Sequence, residues 1–125
     1  MFKILVTGSD GRFGKVLKKF DIKKKFIFKN KKQLNILSEK SIINNIKKHK
    51  PNCILHLAGL SRPMKIHEAN ISKSINLNII GTCNIVKAAA RHKIKIIYLS
   101  TSYVYEGTKG NYAESDPVKP WNNYS

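Results

Sequence analysis

Thr7-Gly8-Ser9-Asp10-Gly11-Arg12-Phe13-Gly14 follows an apolar run from Phe2 to Val6 and opens a stretch in which Phe13, Val16, Leu17 and Phe20 recur at helical spacing. An apolar run, a glycine turn and an amphipathic start read as strand, turn and helix, with those four side chains predicted on the buried helical face. In that setting each glycine has its own task. Gly8 turns the chain off the strand, Gly11 lets backbone N–H groups approach a pyrophosphate, and Gly14 lets the helix lie close to the sheet. The phosphates would rest at the positive end of the helix, where the first N–H groups have no partner within the helix.

Outward from this stretch the pattern continues. Phe26-Ile27-Phe28 reads as a strand and Leu34-Asn35-Ile36 as a shorter one. Ser38 can cap a helix from Glu39 to about His49, with Ile42, Ile43 and Ile46 facing inward and Pro51 ending it. Cys53 to Leu57 is an apolar strand that ends at Ala58-Gly59. Ile71, Ile75, Ile79, Cys83, Val86 and Ala90 describe a long helix from about Asn70 to His92. Ile94 to Leu99 is a further strand, apolar enough to be a parallel strand covered on both faces. Strands alternating with helices, without repeats, predict an α/β doubly wound parallel sheet of the Rossmann type. Ligands of such sheets sit at the carboxyl ends of the strands. Here these ends carry Thr7 to Gly14, Lys29 to Lys31, Asn35-Ile36, Ala58-Gly59 and Ser100-Thr101-Ser102.

Composition bounds the rest. The 125 residues suit one domain with a small core. Lys and Arg number 24 against 7 acidic residues, a net charge of +17. The lysines are spread along the whole chain, however, and the arginines are only Arg12, Arg62 and Arg91, so the bidentate base reader is scarce. This argues against specific nucleic-acid recognition and leaves weak, non-specific phosphate affinity. Cys53 and Cys83 have no metal-ligand spacing and read as small buried hydrophobes of a reducing compartment. No metal site is expected, since His49, His67 and His92 share no ligand spacing either. His56 reads as a core histidine with a backbone partner, and Tyr103 and Tyr105 as packing residues along an extended segment. No apolar run approaches a membrane span and the N-terminus enters a strand, which makes the cytoplasm the expected location.

Six pieces together resemble the extended short-chain dehydrogenase/reductases, in the branch of dTDP-4-dehydrorhamnose reductase and related nucleotide-sugar enzymes. They are the Thr7 to Gly14 loop, Leu34-Asn35-Ile36, His56-Leu57-Ala58-Gly59, the Asn76 helix with Gly81, Ser100 to Gly107, and Pro120-Trp121-Asn122-Asn123-Tyr124-Ser125. The resemblance implies an NADP or NAD cofactor held by Gly8, Ser9, Asp10, Gly11, Arg12, Phe13 and Gly14, with Asn35 and Ile36 beside the adenine and Ala58 and Gly59 along the cofactor. It implies that Asn76 bonds backbone near the active site, the alternative being a plain helix-surface asparagine. Thr101, or less favourably Ser102, would orient the substrate, and Tyr124 would be the general acid or base.

An acidic residue after the second strand would favour NAD through the ribose hydroxyls, whereas Lys29, Asn30 and Lys31 are positive or neutral, which favours NADP. The family's lysine, four residues after that tyrosine, falls beyond Ser125, as do the later strands and the substrate-binding portion. The expectation is therefore an incomplete NAD(P)-binding Rossmann domain over 1–125. It would be the N-terminal part of a reductase acting on a 4-keto nucleotide sugar, with negligible turnover alone. Alternatives are an epimerase or dehydratase fragment, or a catalytically inactive dinucleotide-binding module. A homodimer or a complementing C-terminal chain would be its partner. A basic nucleic-acid-associated protein is a third class, distinguished by steep salt dependence.

Overall fold

The computed structural model describes residues 2–21 and 25–125. Its four strands, β1 Ile4–Thr7, β2 Phe26–Lys29, β3 Cys53–His56 and β4 Lys95–Tyr98, all run parallel in the order β2-β1-β3-β4. Parallel neighbours need crossover connections, and helices supply them: α1 Arg12–Phe20, α2 Glu39–His49, α3 Lys65–Ala69, α4 Ile71–Ile75, a π-helical turn Asn76–Ile80, and α5 Gly81–Arg91. A short 3-10 turn, Ser102–Val104, follows β4. This is the α/β parallel sheet that the alternating pattern predicts. The chain leaves β1 towards β2 and then returns to the opposite flank of β1, where β3 pairs Ile4 with Cys53 and Thr7 with His56. Strand order reverses between β1 and β3, and their carboxyl ends diverge into a crevice.

Period-two alternation sends Leu5 and Ile54 to one face. There they are fully buried with Leu34, Ile36, Ile42 and Ile46 of the α2 side and Ile85, Ala88 and Ala89 of α5. Val6, Cys53 and Leu55 are buried on the opposite face. The α2 helix begins where predicted: Ser38 accepts a hydrogen bond from the Ser41 N–H at 3.2 Å. It ends as Lys50 takes a left-handed conformation with φ 48°, one residue ahead of the buried Pro51.

Six expectations need correction. Leu34-Asn35-Ile36 is not a strand. The Asn30 side chain accepts from the N–H groups of Lys32 and Gln33, both at 3.1 Å, and this Asx turn coils the segment so that Leu34 and Ile36 bury while Asn35 stays outside. The stripe Phe13, Val16 and Phe20 is at least half exposed, because α1 approaches the sheet ends through Gly14 while α2 and α5 supply the core. On the long helix Ile71, Ile75, Ile79, Cys83, Val86 and Ala90 point outward, and the inward stripe is Ser74, Gly81, Ile85, Ala88 and Ala89. Cys83 is thus exposed, whereas Cys53 is buried and its thiol pushed up by desolvation. β4 pairs with β3 alone, and its Ile97 and Tyr98 are exposed rather than covered on both faces. Tyr103 lies in the 3-10 turn, not in an extended run, although both tyrosines do pack: Tyr103 edge-on to Tyr124, and Tyr105 stacked on Tyr112 with centroids 4.8 Å apart. Among the described residues no helix is long and apolar enough to cross a membrane.

Candidate functional site

The crevice is organised by Thr7. Its Oγ1 accepts the N–H groups of Leu57 and Ala58, both at 3.1 Å, and lies 2.8 Å from Nδ1 of His56. With two N–H groups already accepted, the threonine proton goes to Nδ1. The remaining imidazole proton then sits on Nε2 and donates to Thr82 Oγ1 at 3.1 Å. Every polar atom of the pair is satisfied by a neutral histidine. Burial pushes the His56 pKa down to about 4, since desolvation disfavours the imidazolium. His56 is therefore a core histidine, but its partners are two threonine hydroxyls rather than backbone. It is fixed as a scaffold and not poised as a base.

On the β2 side of the crevice lies a cavity of about 250 Å³ lined by Gly8, Asp10, Gly11, Lys31, Leu34, Asn35, Ile36, Leu57, Ala58, Gly59 and Leu77. Gly8 adopts φ +67°, and a Cβ there would fall 2.6 Å from the Ala58 nitrogen. A Cβ on Gly14 would fall 2.6 Å from the Ser9 carbonyl oxygen. Gly8 is thus required by contact and by turn geometry, and Gly14 by contact alone. Gly11 stands at the N-cap of α1 without any side-chain cap, and the first turn carries no acidic residue. The contrast with Ser38 on α2 is informative: one helix N-terminus is closed by its own sequence, the other left free for an anion. The nearby Asp10 carboxylate is neutralised by Lys18 at 3.2 Å, whose hydrogen bond holds its pKa below the usual carboxylate range.

Beyond Leu57-Ala58-Gly59, which line both, a second cavity of about 460 Å³ opens towards β4. Phe13, His56, Tyr98, Thr101 and Tyr124 are among its walls. Thr101 caps the 3-10 turn, its Oγ1 accepting from the Tyr103 N–H at 3.3 Å. Tyr124 sits in a turn organised by Asn122, whose side-chain oxygen accepts the N–H groups of Tyr124 and Ser125 at 3.0 and 3.1 Å. Asn78, on the wall of the larger cavity, accepts the Leu60 N–H at 2.7 Å and donates to the Leu60 carbonyl at 2.8 Å.

Most of the residues singled out from the sequence therefore meet in one crevice. Gly8, Asp10, Gly11, Lys31, Asn35, Ile36, Ala58 and Gly59 line one cavity; Phe13, Thr101 and Tyr124, with Ala58 and Gly59 again, line the other. Ser9 and Gly14 are buried behind the loop, and Arg12 is exposed at the start of α1. Asn76 does not join them: it is exposed, and the backbone bond expected of it is made by Asn78. The π turn rotates the helix between the two positions, which residue spacing alone does not reveal. Also unanticipated is His67, 1 % exposed, whose ring centroid lies 4.8 Å from that of Tyr124. No group of His, Cys, Asp or Glu among the described residues could hold a metal ion.

The family model described as the RmlD substrate binding domain matches residues 2–125. A dTDP-4-dehydrorhamnose reductase of Aggregatibacter actinomycetemcomitans is 29% identical over 124 residues, covering 96% of this chain and 42% of that protein. The methionine adenosyltransferase 2 subunit beta of Rattus norvegicus is 29% identical over 136 residues, covering 98% of this chain and 39% of that one. Among solved structures, the dTDP-4-dehydrorhamnose reductase of Bacillus anthracis in complex with NADP superposes with a TM-score of 0.87 at 25% identity, covering 99% of this chain and 45% of that one. The chain thus spans about two fifths of the curated relatives it matches.

Proposed function

The chain belongs to the family of the RmlD substrate binding domain, and on that premise we propose that it forms the dinucleotide-binding part of an NADP-dependent reductase acting on a 4-keto nucleotide sugar. The observation that carries this reading is the pair of cavities joined at Leu57-Ala58-Gly59 along the carboxyl ends of the strands. One is glycine-lined beside an uncapped helix N-terminus, and the other is walled by Thr101 and Tyr124.

The residues fit a dinucleotide. A pyrophosphate would lie at Gly11, where a Cβ would already come within 3.2 Å of the Gly8 carbonyl oxygen and would narrow the approach. The adenine would lie along Leu34, Asn35 and Ile36, and Lys31 would face the ribose end, where its cation suits a 2′-phosphate better than a 2′-hydroxyl. The nicotinamide supplies hydride chemistry when bound. Thr101 would hydrogen-bond the sugar carbonyl oxygen in the larger cavity, and the Tyr124 hydroxyl would give that oxygen its proton as the alcohol forms. Gly8, Gly14 and the Thr7–His56 pair hold the loop so that these contacts need little rearrangement.

A second reading is a dinucleotide-binding subunit without turnover of its own. It is favoured by the relative named as the beta subunit of another enzyme. Calorimetric titration with NADPH and NADH, followed by spectrophotometric hydride transfer to a 4-keto nucleotide sugar, separates the two. The reductase reading expects the 125-residue chain to bind NADPH with negligible turnover, and a version extended to the relatives' full length to oxidise it in a way that Tyr124→Phe abolishes. Binding without oxidation by the extended chain supports the subunit, and absence of binding overturns both.

A further inference from the structure

The segment carrying Tyr124 is gripped by two consecutive residues of α3. Glu68 accepts from the Asn123 backbone N–H at 3.3 Å and from its side-chain Nδ2 at 2.7 Å, which fixes the main chain next to the tyrosine. His67 addresses the ring itself, with centroids 4.8 Å apart and planes inclined by 49°. Tyr103 closes the other side, edge-on to Tyr124 at 5.6 Å and 84°. Tilted and edge-to-face rings attract through their quadrupoles and are directional, so they set orientation as well as position.

His67 has features that packing alone does not account for. It is 1 % exposed, its Nδ1 lies 2.7 Å from Ser74 Oγ on α4, and its Nε2 is buried with no partner among the described residues. A buried ring nitrogen without a partner works against stability, and a phenylalanine would fill the same space without one. What the imidazole adds is the Ser74 bond, which fixes the rotation of its plane. Ser74 is itself buried, on a helix whose start is capped by Asn70 accepting from the Lys73 N–H at 2.9 Å.

We propose that His67 is a positioning residue for Tyr124: Ser74 sets the imidazole plane, the imidazole sets the tyrosine ring, and Glu68 anchors the adjoining backbone through Asn123. The proposal rests on the reading of Tyr124 as the proton donor of a reductase, and it adds that α3 aims this donor into the larger cavity.

The test follows the aromatic NMR signals of Tyr124 in the 125-residue chain, labelled on tyrosine and assigned with Tyr124→Phe, while circular dichroism monitors folding. Neighbouring rings displace the Tyr124 signals from their solution positions. His67→Ala should remove the His67 share of that displacement, and His67→Phe should return a ring's share of it but, without the Ser74 bond, leave the signals shifted and broadened. Ser74→Ala should shift and broaden the signals while the fold persists. If His67→Ala does not fold, Ser74→Ala and His67→Phe decide. Tyr124 signals unmoved in Ser74→Ala, or identical to those of the parent in a folded His67→Phe, overturn the proposal. A purely structural role predicts lower melting temperatures with unmoved Tyr124 signals. Failure of the underlying reading shows separately, as absent NADPH binding by the unmodified chain.

Discussion

Thr7 Oγ1 lies 2.8 Å from His56 Nδ1, joining register partners on the two strands that flank the crevice. Because the threonine also accepts the Leu57 and Ala58 N–H groups, this bond requires a neutral imidazole. The folded pKa of about 4 lies below the ordinary histidine value of 6.5, so the unfolded chain takes up the proton first as pH falls. Stability should be complete above pH 6.5, decline between 6.5 and 4, and level off below. The total loss is about 3 kcal/mol. Denaturant unfolding at stepped pH checks this, and His56→Gln should flatten the profile across that window.

Gly8→Ala should destabilise the fold by roughly 2 kcal/mol or more. The residue would need φ +67° and would place its Cβ 2.6 Å from a backbone nitrogen that Thr7 holds in place. The thermal midpoint should fall accordingly, and a midpoint equal to that of the parent chain would contradict the assignment.

Gly11→Val addresses the ligand instead. Gly11 lies in an extended conformation at φ −66°, which valine can adopt, but its Cβ would come within 3.2 Å of the Gly8 carbonyl oxygen, so the melting temperature should fall modestly while the fold persists. NADPH affinity should fall at least tenfold as the side chain enters the approach to the α1 N-terminus, measured by calorimetry on the same samples.

Asn76→Ala and Asn78→Ala form a matched pair one half-turn apart. The first removes an exposed side chain and should leave stability within about 0.5 kcal/mol. The second strands both polar groups of Leu60 and should cost about 1–3 kcal/mol. Equal effects in urea unfolding would contradict this division of roles between the two asparagines.

Lys31→Gln should weaken NADP binding a few-fold and leave NAD nearly unchanged. The scale is that of an exposed ion pair, about 1 kcal/mol or less, and the difference should shrink as salt is raised. Paired titrations at low and high salt measure it.

Much of this was legible from residue order. Strand, glycine turn and helix at Phe2 to Gly14, the Ser38 cap and the apolar β3 run each follow from local chemistry, and the structure places them as read. What escaped was set by contacts between distant residues. The outward stripe Ile71, Ile75, Ile79 and Val86 is as apolar as the inward one, so periodicity announces a helix but not which side is buried. Gly81 shows the deciding contact: a Cβ there would fall 2.5 Å from Ile36 Cδ1, and only this closeness turns Ile85, Ala88 and Ala89 into the core. Likewise a lone histidine at position 67 carries no motif, and its proximity to Tyr124 exists only once α3 and the last turn have folded against each other.

The π turn at Asn76–Ile80 also constrains how this chain can change its length. A π turn takes up one residue more than an α turn while the helix on either side keeps its face. Deleting one residue within it would let the winding return to α-helical with Gly81, Ile85, Ala88 and Ala89 still against the sheet, at the cost of the Asn78 bonds to Leu60. A codon lost within α5 would instead rotate everything beyond it by about 100°. The tolerance of this helix for a change of length thus sits at the π turn.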